Sequence, residues 1–311
     1  MKETVIAIVG PTAVGKTKLS IEIAKRFNGE IISGDSMQIY KGMDIGTAKI
    51  KEDEKQGIPH YMIDIKNPDE SFTVVDFQSY VQQYISEITQ RKKIPILVGG
   101  SGLYIQAALF NYNFARSKRS QKITKQLEKE IEHYGIEPLY QRLIKIDPKQ
   151  ADKIHPNNHR RVIRALEIYE TTGLTMSEYK ESQMKESPYN LIFIGLEMDR
   201  KLLYERINLR VDEMIEEGLL DEVEALMQQN FDNKSSMQAI GYKEFIPYFR
   251  GEYNLERAIE LLKRNSRRYA KRQYTWFKNK LEIKWYYITL ETVDEDFKII
   301  FNNLAGLLKD K

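Results

Sequence analysis

A short apolar stretch followed directly by a glycine-rich loop constrains the fold of this chain more than any other feature. Val5 to Val9 has the composition of a buried strand, and the segment after the loop, LSIEIAKRF, has apolar residues at helical spacing. The loop fits the pattern G-x-x-x-x-G-K-[ST] and consists of Gly10, Pro11, Thr12, Ala13, Val14, Gly15, Lys16 and Thr17. Because a strand precedes this pattern and a helix follows it, we predict a phosphate-binding loop.

Each part of this loop has a physical reason to bind phosphate. Glycines allow the backbone to pass close to a ligand, and successive N–H groups at a helix amino terminus direct partial positive charge at it. Lys16 adds a full positive charge, and the hydroxyl of Thr17 can ligate Mg²⁺. We therefore predict that residues 10–17 bind a diphosphate group and that Thr17 is the magnesium ligand.

Three further apolar segments predict strands that end at polar or glycine-rich sequence. EIISG at 30–34 ends before Asp35, and IPILV at 94–98 runs into Gly99-Gly100-Ser101-Gly102. LIFIGL at 191–196 precedes a helix that Asp199 can cap and that reaches Glu217. Since open parallel sheets bind ligands at the carboxyl ends of their strands, these segments predict an α/β fold with a P-loop NTPase-like parallel sheet flanked by helices.

The stretch from about 114 to 189 differs from the rest of the chain. It has helical periodicity and many charges, and prolines interrupt it. A chain of 311 residues can form one large domain or two of ordinary size. We predict a core domain from residues 1–115 and 190–311, and a mainly helical inserted domain at 116–189.

Positive charge is concentrated near the carboxyl end. The formal net charge is +3, but residues 263–284 contain nine Lys or Arg and one acidic residue, Glu282. The spacing at 255–279 predicts an amphipathic helix, with Leu255, Ile259, Leu262, Ser266, Tyr269, Gln273 and Trp276 on one side and Arg264, Arg267, Arg268 and Lys271 on the other. A solvated helix face usually mixes both signs, so this basic side favours a polyanionic partner.

The composition excludes several classes of site. The chain has no cysteine and four histidines, which excludes disulfides, thiolate metal sites and a cysteine nucleophile and leaves little for zinc. The amino terminus, MKETVIAIV, has five apolar residues before a glycine and a proline, too few for a signal peptide or a membrane span. We therefore expect a cytoplasmic protein without membrane contact.

The loop alone does not identify the bond that breaks. A diphosphate cradle suits phosphoryl transfer by a kinase, and it equally suits the departure of diphosphate from carbon. Many P-loop kinases carry a strand-end aspartate that holds Mg²⁺, whereas IPILV ends in glycines. Asp35 is the only acidic residue after a central predicted strand. On these grounds it either forms a hydrogen bond to a group that ligates Mg²⁺ or acts as a base.

Seven segments between residues 10 and 277 occur in the order found in one enzyme family. They are GPTAVGKT, DSMQIY at 35–40, DIGTAK at 44–49, GGSGLY at 99–104, RRVIRALE at 160–167, QAIGYKE at 238–244 and RQYTWF at 272–277. Together they resemble the tRNA dimethylallyltransferase family. The resemblance implies that the P-loop core binds dimethylallyl diphosphate and that the helical insertion grips the anticodon stem-loop of tRNA.

The reaction implied is transfer of the dimethylallyl group to the exocyclic N6 of the adenosine 3′-adjacent to the anticodon, with release of diphosphate. The tRNAs would be those that read codons beginning with U, and the target base would leave its stack to reach the donor. Mg²⁺ is the implied cofactor, and we expect a monomer.

The same resemblance implies roles for individual residues. Asp35 takes the position of the family's general base, Ser101 keeps a hydroxyl at a second catalytic position, and Arg210 takes the position of an arginine that clamps the diphosphate. Arg206, one helical turn before Arg210, can point the same way. The implied tRNA-binding residues are Asp35, Ser36, Met37, Gln38, Ser101, Arg160, Arg161, Arg164, Gln238, Gly241, Tyr242, Lys243 and Arg272.

The helix predicted around 160–169 has two sides. Val162, Leu166 and Tyr169 form its predicted buried side, and the three arginines share the other, where tRNA phosphates would fit. The sequence departs from the family pattern at HYMID (60–64), HPNN (155–158) and Ile50. These departures affect helix capping and loop shape and remove no phosphate ligand.

Three alternatives stand beside this interpretation. The first is a kinase of a nucleoside or small metabolite, and the second is prenyl transfer to free AMP or ADP. Both fit poorly with the arginine-rich segments, and the kinase also lacks its strand-end aspartate. The third is a non-catalytic RNA-binding protein, which does not need a base beside a phosphate loop.

Overall fold

The strands form a single parallel sheet. The computed structural model describes residues 2–112, 114, 120–182 and 186–309. Within this part of the chain the strands are β1 (Thr4–Val9), β2 (Gly29–Ser33), β3 (His60–Tyr61), β4 (Ile94–Gly99), β5 (Asn190–Glu197) and β6 (Lys284–Tyr287). They pair in the order β3-β2-β4-β1-β5-β6, and each pairing is parallel.

The four predicted strands are confirmed, each to within about two residues. The edge strands β3 and β6 were not predicted, because two and four residues are too few for alternation to be recognised. The register places Val9 of β1 beside Gly99 of β4, and Ser33 of β2 beside Val98. The carboxyl ends of three neighbouring strands therefore meet at one edge of the sheet.

The helices fall into two groups along the chain. Those on either side of the middle segment are α1 (Lys16–Phe27), α2 (Val74–Gln90), α3 (Gly102–Leu109), α9 (Arg200–Glu216), α10 (Leu219–Gln228), α11 (Ile246–Phe249), α12 (Leu255–Lys280) and α13 (Val293–Lys309). Between them lie α4 (Gln121–Tyr134), α5 (Glu137–Ile146), α6 (Pro148–Ala151), α7 (His159–Thr172) and α8 (Met176–Glu181). The α/β fold with a sheet flanked by helices is confirmed.

These groups correspond to two compact units. One combines residues up to Leu109 with those from Ser187 onward, and the other is Phe110–Glu186. Residues 116–119 and 183–185 of the predicted insertion lie outside the described residues. Among the helices of the described ranges, none is long and apolar enough to cross a membrane.

Both faces of the central strand β1 are buried. Ile6 and Ile8 pack into a cluster with residues of α1, α9 and α13, while Val5, Ala7 and Val9, which alternate with them, are also fully buried. Because successive side chains of a strand point to opposite faces, helices must cover both sides of the sheet. This explains why the predicted strands are continuous apolar runs.

Helix α12 matches the helix predicted at 255–279, and Asn254 caps it by accepting a hydrogen bond from the Arg257 N–H. Leu262 and Gln273 are buried as predicted. Three residues outside the predicted apolar side are buried as well, namely Ala258, Ala270 and Phe277. The buried stripe is therefore broader than the predicted one, while Arg268 and Lys271 remain exposed.

The unit Phe110–Glu186 has its own apolar core. Leu127 of α4, Leu143 of α5 and Val162 and Leu166 of α7 pack together in it. The predicted burial of Tyr169 is wrong, because its side chain is 39% exposed. Its neighbour Ile168 is buried instead, so the inner side of the last turns of α7 differs from the predicted one.

The buried carboxylate of Glu30 should make stability depend on pH. Burial alone raises the pKa of Glu30, but hydrogen bonds from Arg91, Lys93 and Tyr61 outweigh it and lower the pKa to about 2. A lowered pKa stabilises the fold above the unfolded-state value of about 4.3, and this stabilisation is lost as the pH falls towards 2. We expect Glu30→Gln to lower the free energy of unfolding by about 2 kcal/mol near neutral pH.

Urea unfolding of the wild type and the variant at several pH values measures this. The difference in unfolding free energy should shrink as the pH falls from about 4.3 to about 2. Glu22→Gln is the matched control, because the Glu22 carboxylate on α1 forms no ion pair with any residue in the described ranges. A difference that does not change with pH would contradict the assignment.

Candidate active site

Three turns meet where β1, β2 and β4 end. The glycine-rich loop follows β1, Asp35 follows β2, and Gly99 to Gly102 follows β4. The Gly34 N–H donates to the Val98 carbonyl at 2.7 Å, and a Cβ on Gly99 would lie only 2.4 Å from the Gly34 carbonyl oxygen. Only glycine at position 99 permits this approach, which brings Asp35 beside the loop.

The glycine-rich loop is held by contacts from its own lysine and from two helices. Lys16 donates from Nζ to the carbonyls of Gly10 and Pro11, at 3.0 and 2.6 Å. Gln273 of α12 accepts from the Thr12 N–H at 2.9 Å, and Arg206 of α9 donates from Nε to the Ala13 carbonyl at 2.9 Å.

Two adjoining cavities open at this edge of the sheet. The first, here called the phosphate cavity, has a volume of about 280 Å³ and includes Gly15, Lys16, Thr17 and Arg206 in its wall. The second, here called the adjoining cavity, has a volume of about 290 Å³ and a largely apolar wall that includes Ile207, Val211, Met214 and Leu262. The residues common to both walls are Thr12, Asp35, Thr47, Ala48, Arg210 and Tyr269.

Burial shifts the pKa values of Asp35 and Lys16 in opposite directions. It raises the pKa of Asp35, although the N–H groups of Met37 and Gln38 and the charge of Lys16 partly oppose the shift. It also lowers the pKa of Lys16 to about 7, helped by the charge of Arg210 and opposed by that of Asp35. A carboxylate with a raised pKa accepts a proton more readily, so Asp35 is suited to act as a base.

Ser101 lies beside Asp35 at the end of β4. Its Oγ accepts a hydrogen bond from the Ser36 N–H at 3.3 Å and lies 3.4 Å from the Ser36 hydroxyl. The side chains of Ser101 and Gln273 both lie near the Tyr269 hydroxyl, and each lowers its pKa. Burial, together with the charge of Asp35, raises the pKa of Tyr269 to about 12, so this phenol stays neutral.

Sequence reasoning placed Tyr269 and Gln273 only on the apolar side of a helix and missed their place in the site. The available signal was a glutamine in an otherwise apolar stripe, because a buried amide requires hydrogen-bond partners. Gln273 is 5% exposed, and its amide oxygen finds a partner in the Thr12 N–H of the loop. The helix with the basic exposed side thus also lines the phosphate cavity.

Arg206 and Arg210 both line the phosphate cavity, as their spacing on α9 predicts. Burial lowers the pKa of Arg210, and the charge of Arg206 adds to this effect. Arg206 supports the loop at Ala13, whose φ of 65° is left-handed and costs about 1–2 kcal/mol in a residue with a Cβ. This contact was not predicted from the sequence.

The other residues predicted to bind tRNA occupy three different places. Ser36, Met37, Gln238 and Arg272 line the adjoining cavity, and Gln38 lines the phosphate cavity. Gly241 and Tyr242 are buried, and Lys243 is half-buried near Glu244. Because the Tyr242 side chain is fully buried, it is part of the core and is not accessible at the surface.

The three arginines of α7 belong to the other compact unit. Arg160 and Arg161 are exposed, while Arg164 is half-buried and donates to the carboxylate of Glu167 at 2.8 Å. Two of the three guanidinium groups are thus presented to solvent on one helix.

The residues around Thr17 suit a magnesium ion bound with a phosphate ligand. Thr17 and Asp35 both line the phosphate cavity, and within the described residues there is no group of three or more His, Asp or Glu that could hold a metal alone. Mg²⁺ is commonly held by one or two protein oxygens together with substrate phosphates. A hydroxyl and a carboxylate in one cavity fit that pattern.

The fold and the site together define an α/β protein of the P-loop class, with a half-buried carboxylate placed beside the phosphate loop. The sequence profile of the IPP transferase family matches residues 38–280, and the chain belongs to this family.

Similar proteins are known at full length. A protein named tRNA dimethylallyltransferase from Oceanobacillus iheyensis is 59% identical over 311 residues, which covers 100% of this chain and 99% of that protein. The crystal structure of the tRNA isopentenylpyrophosphate transferase from Bacillus halodurans has a TM-score of 0.76 and 51% identity, covering 99% of this chain and 98% of the other. The crystal structure of a eukaryotic dimethylallyltransferase acting on tRNA has a TM-score of 0.80 and 36% identity, covering 93% of this chain and 75% of the other.

Binding of an anion to the loop should take up a proton through Lys16. With a pKa of about 7, Lys16 is largely neutral at about pH 8, and a bound phosphate anion raises that pKa. The affinity for inorganic diphosphate should therefore fall as the pH rises above about 7. Calorimetry at about pH 8, in buffers with different ionisation enthalpies, measures the proton uptake.

Lys16→Arg keeps the charge at every working pH, so the variant should take up fewer protons than the wild type, by as much as one per diphosphate. Lys25→Ala is the control, because Lys25 lies exposed on α1 and outside the phosphate cavity. Equal uptake by the wild type and Lys16→Arg would rule out Lys16 as the proton acceptor.

Proposed function

We propose that this protein transfers a dimethylallyl group from dimethylallyl diphosphate to an adenine N6 of tRNA. The observation that carries the proposal is the position of Asp35, which lies in the wall shared by the phosphate cavity and the adjoining cavity. A base at that junction can contact an amine in one cavity while the diphosphate of the donor is held in the other. Membership of the IPP transferase family supports the same chemistry.

In the proposed reaction the bond between C1 of the donor and its diphosphate oxygen breaks, and a bond between N6 and C1 forms. The N6 proton passes to the carboxylate of Asp35, whose raised pKa favours its acceptance. An aromatic amine is a weak nucleophile because its lone pair is delocalised into the ring, so removal of this proton assists attack.

The phosphate loop and the arginines would stabilise the departing diphosphate. Lys16, the N–H groups of the loop from Ala13 to Thr17 and Arg210 direct positive charge into the phosphate cavity. The hydroxyl of Thr17 would hold Mg²⁺, which would neutralise further charge on the diphosphate. Ser101 would help to orient Asp35 and the incoming amine through its contacts with Ser36 and Tyr269.

The tRNA would contact both parts of the chain. We assign the helical insertion, residues 116–189, to the anticodon stem-loop, because Arg160 and Arg161 are exposed on α7 and guanidinium groups bind phosphates well. Gln238, Lys243 and Arg272 and the segment from Ser36 to Gln38 would contact the target nucleotide and its neighbours. The target would be the adenosine 3′-adjacent to the anticodon in tRNAs that read codons beginning with U, and the enzyme would act as a monomer.

Prenyl transfer to tRNA is favoured over a small-molecule kinase by the family and by the tRNA-directed names of the relatives. Transfer to free AMP or ADP and non-catalytic RNA binding remain outcomes of the following experiment.

Asp35→Asn should strongly slow product formation while leaving the protein folded. The amide has nearly the same shape as the carboxylate but cannot accept the amine proton, so kcat should fall by about 10²–10⁴-fold. The measurement is digestion of unmodified tRNA after incubation with Mg²⁺ and dimethylallyl diphosphate, followed by mass analysis for isopentenyl adenosine.

Asp53→Asn is the matched control, since Asp53 is exposed and lies outside both cavities. Parallel incubations use ATP, or AMP in place of tRNA. Consumption of ATP without a tRNA adduct would overturn the proposal in favour of a kinase. Binding of tRNA without any adduct would favour a non-catalytic protein.

The double variant Arg160→Ala/Arg161→Ala should weaken tRNA binding without altering the chemistry. Removal of two guanidinium–phosphate interactions should raise the KM for tRNA roughly tenfold. The slope of log binding constant against log salt concentration should become shallower by about 0.7 for each interaction removed. The KM for the donor and kcat at saturating tRNA should not change. Lys149→Ala/Lys153→Ala, two exposed lysines of the same unit, is the control. An unchanged tRNA KM would remove α7 from the RNA-binding surface.

A further inference from the structure

One carboxylate outside the proposed catalytic residues accepts an unusual number of hydrogen bonds. Glu222 of α10 accepts from the N–H groups of Asp44 and Ile45 through Oε2, at 2.9 and 2.8 Å. Its Oε1 accepts from the Gly46 N–H at 3.0 Å and from the Tyr242 hydroxyl at 2.6 Å. Three successive backbone groups of one segment thus depend on a single side chain.

The packing around this carboxylate is close and leaves little freedom. The Tyr242 side chain is fully buried, and a Cβ on Gly46 would lie 2.5 Å from its ring. A Cβ on Gly241 would lie 2.8 Å from the Gly46 carbonyl oxygen. The backbone at Gly46 therefore lies directly against the aromatic ring, with Glu222 holding it there.

The far end of the same segment is anchored separately. The ammonium of Lys49 donates to the Tyr40 carbonyl at 2.8 Å and to Asp64 at 2.6 Å, and its side chain is 5% exposed. The amide of Gln38 donates to the carbonyls of Thr47 and Ala48, both at 3.2 Å. Residues 44–49 are thus fixed at both ends.

Thr47 and Ala48 lie between Gly46, which Glu222 holds, and Lys49, and both belong to the wall shared by the phosphate cavity and the adjoining cavity. Asp35 and Arg210 belong to the same shared wall. A displacement of the segment would therefore change the distance across the place where, on the proposed function, donor and acceptor meet.

We propose that Glu222 is a positioning residue for the reaction, because it holds the segment Asp44–Lys49 as the wall of the junction between the two cavities. The inference rests on the proposed function for its effect on turnover. The anchoring itself depends only on the hydrogen bonds that the carboxylate accepts. Near-attack geometry is sensitive to displacements of about 1 Å, so removal of the anchor should affect turnover more than binding.

A carboxylate suits this place better than an amide. Both of its oxygens accept, and together they meet four donors, whereas glutamine has one accepting oxygen and an NH₂ group that would face an N–H donor. Glu222→Gln should keep the hydrogen bonds from Asp44 and Ile45 and lack the one from Gly46. Glu222→Ala lacks all of them, and Tyr242→Phe lacks only the one from the hydroxyl.

The test compares these three variants with the wild type and with Glu224→Gln, an exposed glutamate on the same helix. Steady-state kinetics with tRNA and dimethylallyl diphosphate give kcat and both KM values. Calorimetry gives the Kd for inorganic diphosphate, and amide hydrogen exchange reports on a peptide covering residues 43–50. Thermal melting and circular dichroism establish that each variant is folded.

We expect kcat to fall about 10- to 100-fold in Glu222→Ala, less in Glu222→Gln and less than about threefold in Tyr242→Phe. The Kd for diphosphate should change less than about threefold, because the loop and Arg210 are untouched. Amide exchange at residues 44–46 should be fastest in Glu222→Ala, intermediate in Glu222→Gln and slowest in the wild type. Glu224→Gln should behave as the wild type.

A folded Glu222→Ala with wild-type kcat per folded molecule would overturn the inference, even if its melting temperature were lower. Equal falls in kcat and in diphosphate affinity would also overturn it, because they would indicate general disruption of the site. If the wild type forms no prenylated tRNA, the proposed function fails. The amide exchange experiment then tests by itself whether Glu222 anchors residues 44–46. Unchanged exchange in Glu222→Ala would show that it does not.

Discussion

Lys16 and Asp35 carry opposite charges in one cavity, and burial acts on both. It makes the ammonium a stronger acid and the carboxylate a stronger base, while their mutual attraction limits both pKa shifts. The arrangement is possible only because three parallel strands end side by side and deliver the loop, Asp35 and the glycine turn to one edge. The sheet register is therefore the structural origin of the electrostatics of the site.

Helices from the second half of the chain complete what the strands begin. Gln273 of α12 satisfies a loop N–H, Arg206 of α9 supports the strained Ala13, and Glu222 of α10 holds the segment at 44–46. Each of these polar side chains bonds to backbone, so it fixes a main-chain path and not merely a neighbouring side chain. Three separate helices thus supply polar anchors around one pair of cavities.

Much of the fold and of the phosphate site could be predicted from the sequence, because both depend on local signals. Continuous apolar runs mark the buried strands, and the glycine-lysine pattern marks the loop that follows the first of them. The two-residue β3 and the edge strand β6 are too short for such signals. The exposure of Tyr169 could not be predicted either, because the spacing of α7 residues says nothing about where the neighbouring helices end.

The contributions of Tyr269, Gln273 and Glu222 are of a different kind, since each acts through a partner far away in the sequence, such as Thr12 for Gln273 and Asp44 for Glu222. A helix pattern predicts which side is buried but does not name the backbone group that meets a buried amide or carboxylate.

Helix α12 touches the phosphate loop through Gln273 and presents Arg268, Lys271 and Arg272 to solvent over the same turns. A single rigid rod therefore has one side in the phosphate cavity and another available to a polyanion. If RNA binding on the exposed side shifts this helix and so changes the affinity for the phosphate ligand by some factor, thermodynamic reciprocity requires the phosphate ligand to change RNA affinity by that same factor. The helix would then couple the two binding sites, so that binding of either substrate alters the affinity for the other.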